Sequence, residues 1–318
     1  MDQVWRLKHF LAAAELGSLQ AAARHLNISQ PALSKSLKEL ETHLNSALFE
    51  RSSRGVVLTA AGRALRARAC DIQAAWDSAL IELTATRDGA RGELRIGVGP
   101  TYEAAFMGKV LARLGRDFPN LRLSVRTGVG AILLPALNAG EIGLYIGGLR
   151  SGPETLAPGI NEIHLYDQTN RIVAAAGDPL ARATPPGPEA LAARAWVRLS
   201  YDTAAAERTQ ALFRKAGVAA PRSTVQTDSL ALALDLVRDH GFLTSLPEPL
   251  LHPALGGGLV ALEVPDYAWQ IATGISYRQS IGTSAPFHAL LAVLRAEVAA
   301  LGLGPAAPPG PLDQPPLA

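Results

Sequence analysis

The chain has 318 residues, of which 48% are hydrophobic and 18% charged, with a formal net charge of +2. That length predicts roughly two or three globular domains with sizeable cores. A single cysteine, Cys70, excludes a disulfide framework and any multi-cysteine zinc site. No run is apolar for long enough to span a membrane, and the charge-broken N-terminus has no signal-peptide core. The expectation is a soluble, non-exported, cytoplasmic chain. The charge is uneven: ten Lys/Arg against five acids in residues 1–70 leave about +5 there and about −3 in the rest. A basic head on a mildly acidic body suggests a polyanionic partner, with an ordinary solvated surface as the alternative.

In chain order, Val4 to Leu16 repeats apolar residues (Trp5, Phe10, Leu11, Ala14) at helical spacing. Gly17-Ser18 breaks that helix, and Ser18 can cap a short second one from Leu19 to Leu26. Asn27-Ile28-Ser29 makes a tight turn. Ser29 then caps a third helix carrying Pro31 in its first turn, and Leu33, Leu37, Leu40 and Leu44 run down one face. Phe49 to Leu58 reads as a β-hairpin turning at Ser52–Gly55. Thr59 caps a long helix from Ala60 to about Thr86, with an apolar stripe of Leu65, Ala69, Ile72, Trp76, Ala79 and Leu83. The stripe suits pairing with a second copy or packing on the rest of the same chain.

The two helices in residues 17–41 have helix-turn-helix geometry. Ala22 or Ala23 permits close approach, and Ala22, Leu26, Ile28, Leu33 and Leu37 form the seam. The outward face carries Gln30, Pro31, Ser34, Lys35 and Lys38. On a helix in the major groove, Gln30 suits an adenine edge and Lys35 a guanine edge or phosphate. Ser34 suits base or backbone, and Lys38 phosphate. The helix pair alone equally fits a plain three-helix bundle. Arg51 and Arg54, flanking the hairpin turn, tip the balance, since arginines on such a wing suit the minor groove or flanking phosphates. Double-stranded DNA is the expected partner.

Residues 5–63 resemble the head of LysR-type transcriptional regulators. The family pattern appears as Phe10, Ala13, Ala14, Glu15, Gly17, Ser18, Ala22, Ala23, Leu26, Ser29 to Ser34, Leu40-Glu41, Leu48-Phe49, Arg51, Arg54, Leu58-Thr59 and Ala61-Gly62. Lys35 departs from it, the family more often having arginine there, which weakens a bidentate guanine contact. The resemblance implies antiparallel pairing of the long helix with a partner copy, a dimer of dimers and, for an activator, contact with RNA polymerase.

Beyond residue 89, strands alternate with helices, which predicts parallel sheets with crossover helices. The strands read at 94–99, 121–127, 143–148, 170–176, 196–200, 223–227, 242–246 and 270–277, and a last helix at 286–301. This part resembles the family's effector domain, which is similar to periplasmic solute-binding proteins. The matching phrases include Leu94 to Gly99, Phe118-Pro119, Gly140-Glu141-Ile142, Asp178-Pro179-Leu180-Ala181 and Ser245-Leu246-Pro247. The expected fold is multidomain. An all-α winged helix-turn-helix head (1–59) and a linker helix (60–89) precede a two-lobed α/β effector domain. Lobe one is 90–164 with 268–303, lobe two 165–267, and a Pro/Gly-rich tail (304–318) is expected to be disordered.

Ligands of such sheets bind beyond the carboxyl ends of strands. The candidates in lobe one are Gly99, Pro100, Thr101, Tyr102, Gly128 and Gly130; those in lobe two are Ser200, Tyr201, Thr227 and Phe242. Thr101 matches the family's cleft-facing polar residue, while Gly130 stands where the family often has Ser or Thr. The expected effector is a small organic anion held at helix N-termini, with aromatic character suggested by Tyr102, Tyr201 and Phe242. Gly97-Val98-Gly99 does not make a dinucleotide fingerprint. Its third glycine would fall at Tyr102, and the following strand ends in Thr127 rather than an acid. The seven histidines share no metal-binding spacing, so neither a metal nor a cofactor is expected. No hydrolase, metalloprotease or nucleotide-binding motif supports an enzyme, and a purely architectural DNA binder has no use for a domain of this size.

Overall fold

The computed structural model describes residues 2–52, 55–84, 92–149, 157, 159–182, 185–221, 223–252 and 257–303. Arg54, residues 85–91 and the predicted tail lie outside them.

The head consists of α1 (Asp2–Leu16), α2 (Leu19–His25), α3 (Gln30–Leu44) and a hairpin of β1 (Phe49–Ser52) and β2 (Gly55–Leu58). The serines cap as their positions require. Ser18 Oγ accepts from the Ala21 N–H and Ser29 Oγ from the Ala32 N–H, both at 3.3 Å, each worth about 1 kcal/mol. Asn27 takes the left-handed conformation (φ 55°) that turns α2 into α3. Phe10, Ala13, Ala22, Leu33, Leu37, Leu40 and Leu48 close one core. Leu44 does not join it: one turn past Leu40 the helix ends, and Leu44 is exposed. Three charged residues brace the assembly. Arg6 pairs with Glu39 at 2.8 Å, and Glu41 Oε1 accepts from the Leu48 N–H at 2.7 Å and the Phe49 N–H at 3.2 Å, fixing the start of the wing.

Helix α4 (Ala60–Thr84) starts under a Thr59 cap, whose Oγ1 accepts from the Gly62 N–H at 3.0 Å. Its stripe is divided. Leu65 and Ala69 pack on the head core, whereas Ile72 and Trp76 are exposed; the side chains of Ala79 and Leu83 lie outside the described residues.

The effector domain contains one seven-stranded sheet in the order β10 (Leu259–Ala261), β6 (Ile160–Ala175), β11 (Trp269–Arg278), β5 (Leu144–Gly148), β3 (Gly92–Val98) and β4 (Leu121–Thr127), with β9 (Thr244–Pro247) also pairing β6, and a two-stranded sheet of β7 (Trp196–Leu199) and β8 (Ser223–Thr227). Parallel β3 (Gly92–Val98), β4 (Leu121–Thr127) and β5 (Leu144–Gly148) form lobe one. Between them run α5 (Pro100–Tyr102), a π turn, α6 (Gly108–Asp117) and α7 (Gly130–Asn138), and α11 (Ala285–Ala300) covers the lobe. Lobe two holds β7 (Trp196–Leu199), β8 (Ser223–Thr227), β9 (Thr244–Pro247) and β10 (Leu259–Ala261). Its helices are α8 (Pro188–Ala192), α9 (Thr203–Lys215) and α10 (Leu230–His240).

Two antiparallel strands, β6 (Ile160–Ala175) and β11 (Trp269–Arg278), pass through both lobes. The first begins ten residues earlier than the apolar run at 170–176 indicates. Its lobe-one half carries His164, Asp167 and Gln168 among its apolar residues, so no continuous hydrophobic stretch marks it.

The Asp178-Pro179-Leu180-Ala181 phrase has a structural use. Asp178 is buried and receives both Arg194 Nη1 (2.9 Å) and Nη2 (2.5 Å), and its Oδ1 also accepts from the Leu180 N–H at 2.9 Å. Arg194 Nη2 further donates to the Gly241 carbonyl at 2.8 Å, joining three segments of lobe two. Burial opposes ionisation of Asp178, but the hydrogen bonds from Arg194 and Leu180 outweigh it and hold the carboxyl below its ordinary range. A depressed carboxylate stabilises the fold above its unfolded pKa and loses that contribution as pH falls through the folded value. Asp178→Asn is therefore expected to cost about 3 kcal/mol at neutral pH. Its denaturant midpoint should change less than the wild type's as the pH is lowered below about 4.

Candidate functional site

The α3 face that sequence assigns to DNA is open. Gln30, Pro31, Lys35 and Lys38 are exposed and Ser34 is half-buried. Ser29 is committed to its cap, and Gln30 Nε2 donates to Ser34 Oγ at 3.1 Å, orienting both polar groups on one turn. The Lys35 and Lys38 ammonium groups form no ion pair among the described residues. Arg51 lies in β1 opposite Val56.

The cleft candidates divide. Gly99 caps α5, and its N–H donates to the Ile146 carbonyl at 2.9 Å. Pro100 and Thr101 are half-buried at the strand end. Tyr102 is buried. Its ring lies over Gly99, where an added Cβ would come within 2.8 Å of the ring. Its hydroxyl donates to Gln168 Oε1 at 2.9 Å and lies 3.2 Å from Thr273 Oγ1, contacts that leave it only 5% exposed. Gln168 belongs to β6 and Thr273 to β11, at the register shift between Thr273 and Gly274. Tyr102 thus clamps the two strands that join the lobes, and burial pushes its phenol far above the ordinary value.

Gly128 follows β4 beneath Leu133, and Gly130 opens α7 beside the Tyr145 hydroxyl. Ser200, Tyr201 and Thr227 follow the carboxyl ends of β7 and β8, the Ser200 N–H donating to the Thr227 carbonyl at 3.0 Å. Phe242 is misplaced by sequence. It precedes β9 at the amino end of that strand, away from the cleft, and packs on the Val197, Ala233 and Val237 core.

A cavity of about 370 Å³ lies between the lobes. Pro100 and Thr127 line it from lobe one, with Glu103 and Ala104; Asp228, Ser229, Ala231 and Leu234 line it from lobe two. Pro100 and the helix start were legible in sequence. Asp228-Ser229 was not, although a serine before an apolar periodic run signals a helix N-cap, and Ser229 Oγ accepts from the Leu232 N–H at 3.2 Å. Among the described residues the cavity carries two carboxylates, Glu103 and Asp228, and no cationic side chain, so an anion there meets like charge. A cation, Arg198, instead faces a second hollow of about 410 Å³ within lobe two.

The effector domain also grips α4. Arg278, at the end of β11 and only 4% exposed, donates to Asp71 Oδ1 (2.6 Å) and to the carbonyls of Ala67 (2.9 Å), Leu137 (2.6 Å) and Asn138 (3.1 Å). Arg66 pairs with Glu141 at 3.1 Å beside it. Cys70 presses on Gly140, whose φ of +73° and lack of a side chain admit the contact. Burial raises the thiol, against the opposing influence of Arg95, Arg66 and Arg278.

Comparison with known proteins settles the family. Residues 5–63 match "Bacterial regulatory helix-turn-helix protein, lysR family", and residues 87–299 match "LysR substrate binding domain". The chain belongs to the LysR family of bacterial transcriptional regulators. It is 34% identical over 246 residues to the HTH-type transcriptional regulator TfdS of Cupriavidus pinatubonensis, covering 76% of this chain and 81% of that one. A probable hydrogen peroxide-inducible genes activator of Mycobacterium leprae is 30% identical over 91% of this chain and 92% of its own length. A full-length OxyR variant from Pseudomonas aeruginosa shares the fold with a TM-score of 0.69 at 20% identity, covering 97% of this chain and 98% of that one. As a LysR regulator, the chain couples a DNA-binding head to an effector-binding domain. No helix among the described residues is long and apolar enough to cross a membrane.

Arg278 holds this LysR regulator's head-bearing helix to its effector sheet. Replacing it strands a partly buried carboxylate and three carbonyls, so Arg278→Ala is expected to destabilise by about 3 kcal/mol. Arg278→Lys keeps the charge but not the fork and should recover part of the loss. Urea titration followed by circular dichroism measures both.

Proposed function

We propose that this regulator acts in the cytoplasm, reads duplex DNA through α3 and its wing, and is controlled by a small effector bound between the two lobes. The observation that carries the DNA reading is the solvent-facing set of Gln30, Ser34, Lys35 and Lys38, with both ammonium groups left without a counter-ion among the described residues. Lys38 and Arg51 are assigned to phosphate, Gln30 to a base edge, and Lys35 to a guanine edge or phosphate. The chain works by binding rather than by catalysis. Exposed Trp5, Ile72 and Trp76 on α1 and α4 favour self-association through these helices, and a dimer of dimers is the assembly we assign. If the regulator activates, RNA polymerase is its further partner.

The effector site is assigned to the interlobe cavity flanked by Pro100, Thr101, Glu103, Thr127 and Asp228. Its carboxylate lining favours a neutral or cationic ligand over an organic anion. Peroxide sensing, suggested by the name of the mycobacterial relative, does not carry over. Thiol-based sensing uses an accessible thiolate, and commonly a second thiol to resolve it. Cys70 is the one cysteine in these 318 residues, is buried, and has its thiol pushed up.

The test is fluorescence anisotropy on duplexes that the protein itself selects from a random pool. Lys38→Ala is expected to weaken binding to all sequences and to reduce the slope of log K against log salt by about one. Gln30→Ala should instead relax the preference at one base position, costing roughly 1–3 kcal/mol on the preferred duplex. Unchanged affinity and salt slope in both variants would remove α3 from the interface.

A further inference from the structure

Lobe two contains a hollow of about 410 Å³ between α9 and the sheet, within the size range of small-ligand pockets. Two oppositely charged side chains line it without pairing. Arg198 donates to Gln226 Oε1 and has no acidic partner among the described residues. Asp202 accepts from the Ala205 N–H, at 2.9 Å, and has no cationic partner among them. Burial raises the Asp202 carboxyl, the Ala205 N–H lowering it less. An arginine and a carboxylate that share a cavity and leave each other alone are complementary to a ligand bearing both charges.

An independent observation lies on the same wall. Ser245, 7% exposed, lines the hollow, and its Oγ has no hydrogen-bond partner of good geometry. The Tyr267 hydroxyl approaches it but is already engaged with Thr209 Oγ1 at 2.9 Å. Four buried polar side-chain atoms lack partners among the described residues, and Ser245 Oγ, Asn170 Nδ2 and Trp269 Nε1 are three of them. Strand register puts these three on one face. Ser245 stands opposite Ile172, two residues along β6 from Asn170, and Asn170 stands opposite Trp269. An unmade buried hydrogen bond is costly, so the sheet face that carries Ser245 to the hollow holds three unused polar groups.

We propose that the α9-side hollow of lobe two is a second ligand site, separate from the interlobe cavity, for a small zwitterion of the amino-acid type. Arg198 takes the carboxylate, Asp202 takes the ammonium, and Ser245 supplies a further polar contact. This goes beyond the interlobe reading and does not depend on it.

The experiment is isothermal titration of the full-length protein with the twenty common L-amino acids. Each binder is compared with its deaminated acid and its decarboxylated amine. At least one amino acid is expected to bind while its one-charge counterparts bind at least tenfold more weakly. Asp202→Asn, which retains the α9 cap, and Arg198→Gln should each weaken that amino acid at least tenfold. The proposal is overturned if no amino acid binds. It is also overturned if binding survives both variants and is lost instead in Asp228→Asn, which would assign the ligand to the interlobe cavity.

Discussion

The guanidinium of Arg278 is the point on which the chain's two halves meet. It sits at the end of β11, a strand that pairs along its whole length with β6 and passes through both lobes. Four acceptors converge on it, two from α4 and two from the end of α7. A buried cation of this kind is tolerated only because every bond is made, and removing any acceptor exposes the cost of the others. The head is thus fastened to the effector domain through a strand that belongs to neither lobe alone.

Tyr102, on α5, meets β11 at Thr273, five residues before Arg278. Its hydroxyl bridges Gln168 and Thr273 where the β6–β11 register shifts, so lobe one's first helix is pinned to both connecting strands. A change in the angle between the lobes must strain β6 and β11, and the end of β11 is what holds α4. Within a close-packed interior, such elements move between discrete arrangements rather than bending continuously. The interlobe cavity, which opens beside Pro100 and Glu103, is thus linked to the helix that carries the head by the hydrogen bonds of Tyr102, by β11 and by those of Arg278.

The head was almost fully legible in sequence because its information is local. Ser18 and Ser29 cap their helices, Asn27 turns, and Leu33, Leu37 and Leu40 repeat at helical spacing, all within about 25 residues of one another. The misplacements fall where tertiary context overrides local pattern. Leu44 continues a periodic stripe past the end of the core it serves. Tyr102 reads as a cleft residue from its strand-end position, but the residues that bury it, Gln168 and Thr273, are 66 and 171 positions away. Phe242, by contrast, lies at the amino end of its strand, as the start of the 242–246 run already indicates, so the carboxyl-end rule leaves it out. The Arg278–Asp71 tie spans 207 residues and has no sequence signal at all.

The expected anion site illustrates a different limit. Helix N-termini do converge at the carboxyl ends of the strands, and their free N–H groups favour negative charge. Side chains nonetheless decide the sign of the field, because a full charge outweighs the half-charge of a helix end at similar distance. Glu103 and Asp228 bring two carboxylates to the interlobe cavity, and Ser229 already satisfies one of the N–H donors of α10. Lobe one, meanwhile, fills the space above its strand ends with its own rings, Tyr102 over Gly99 and Tyr145 over Gly147. What remains open and polar lies on lobe two, where Arg198 and Asp202 face a hollow without facing each other.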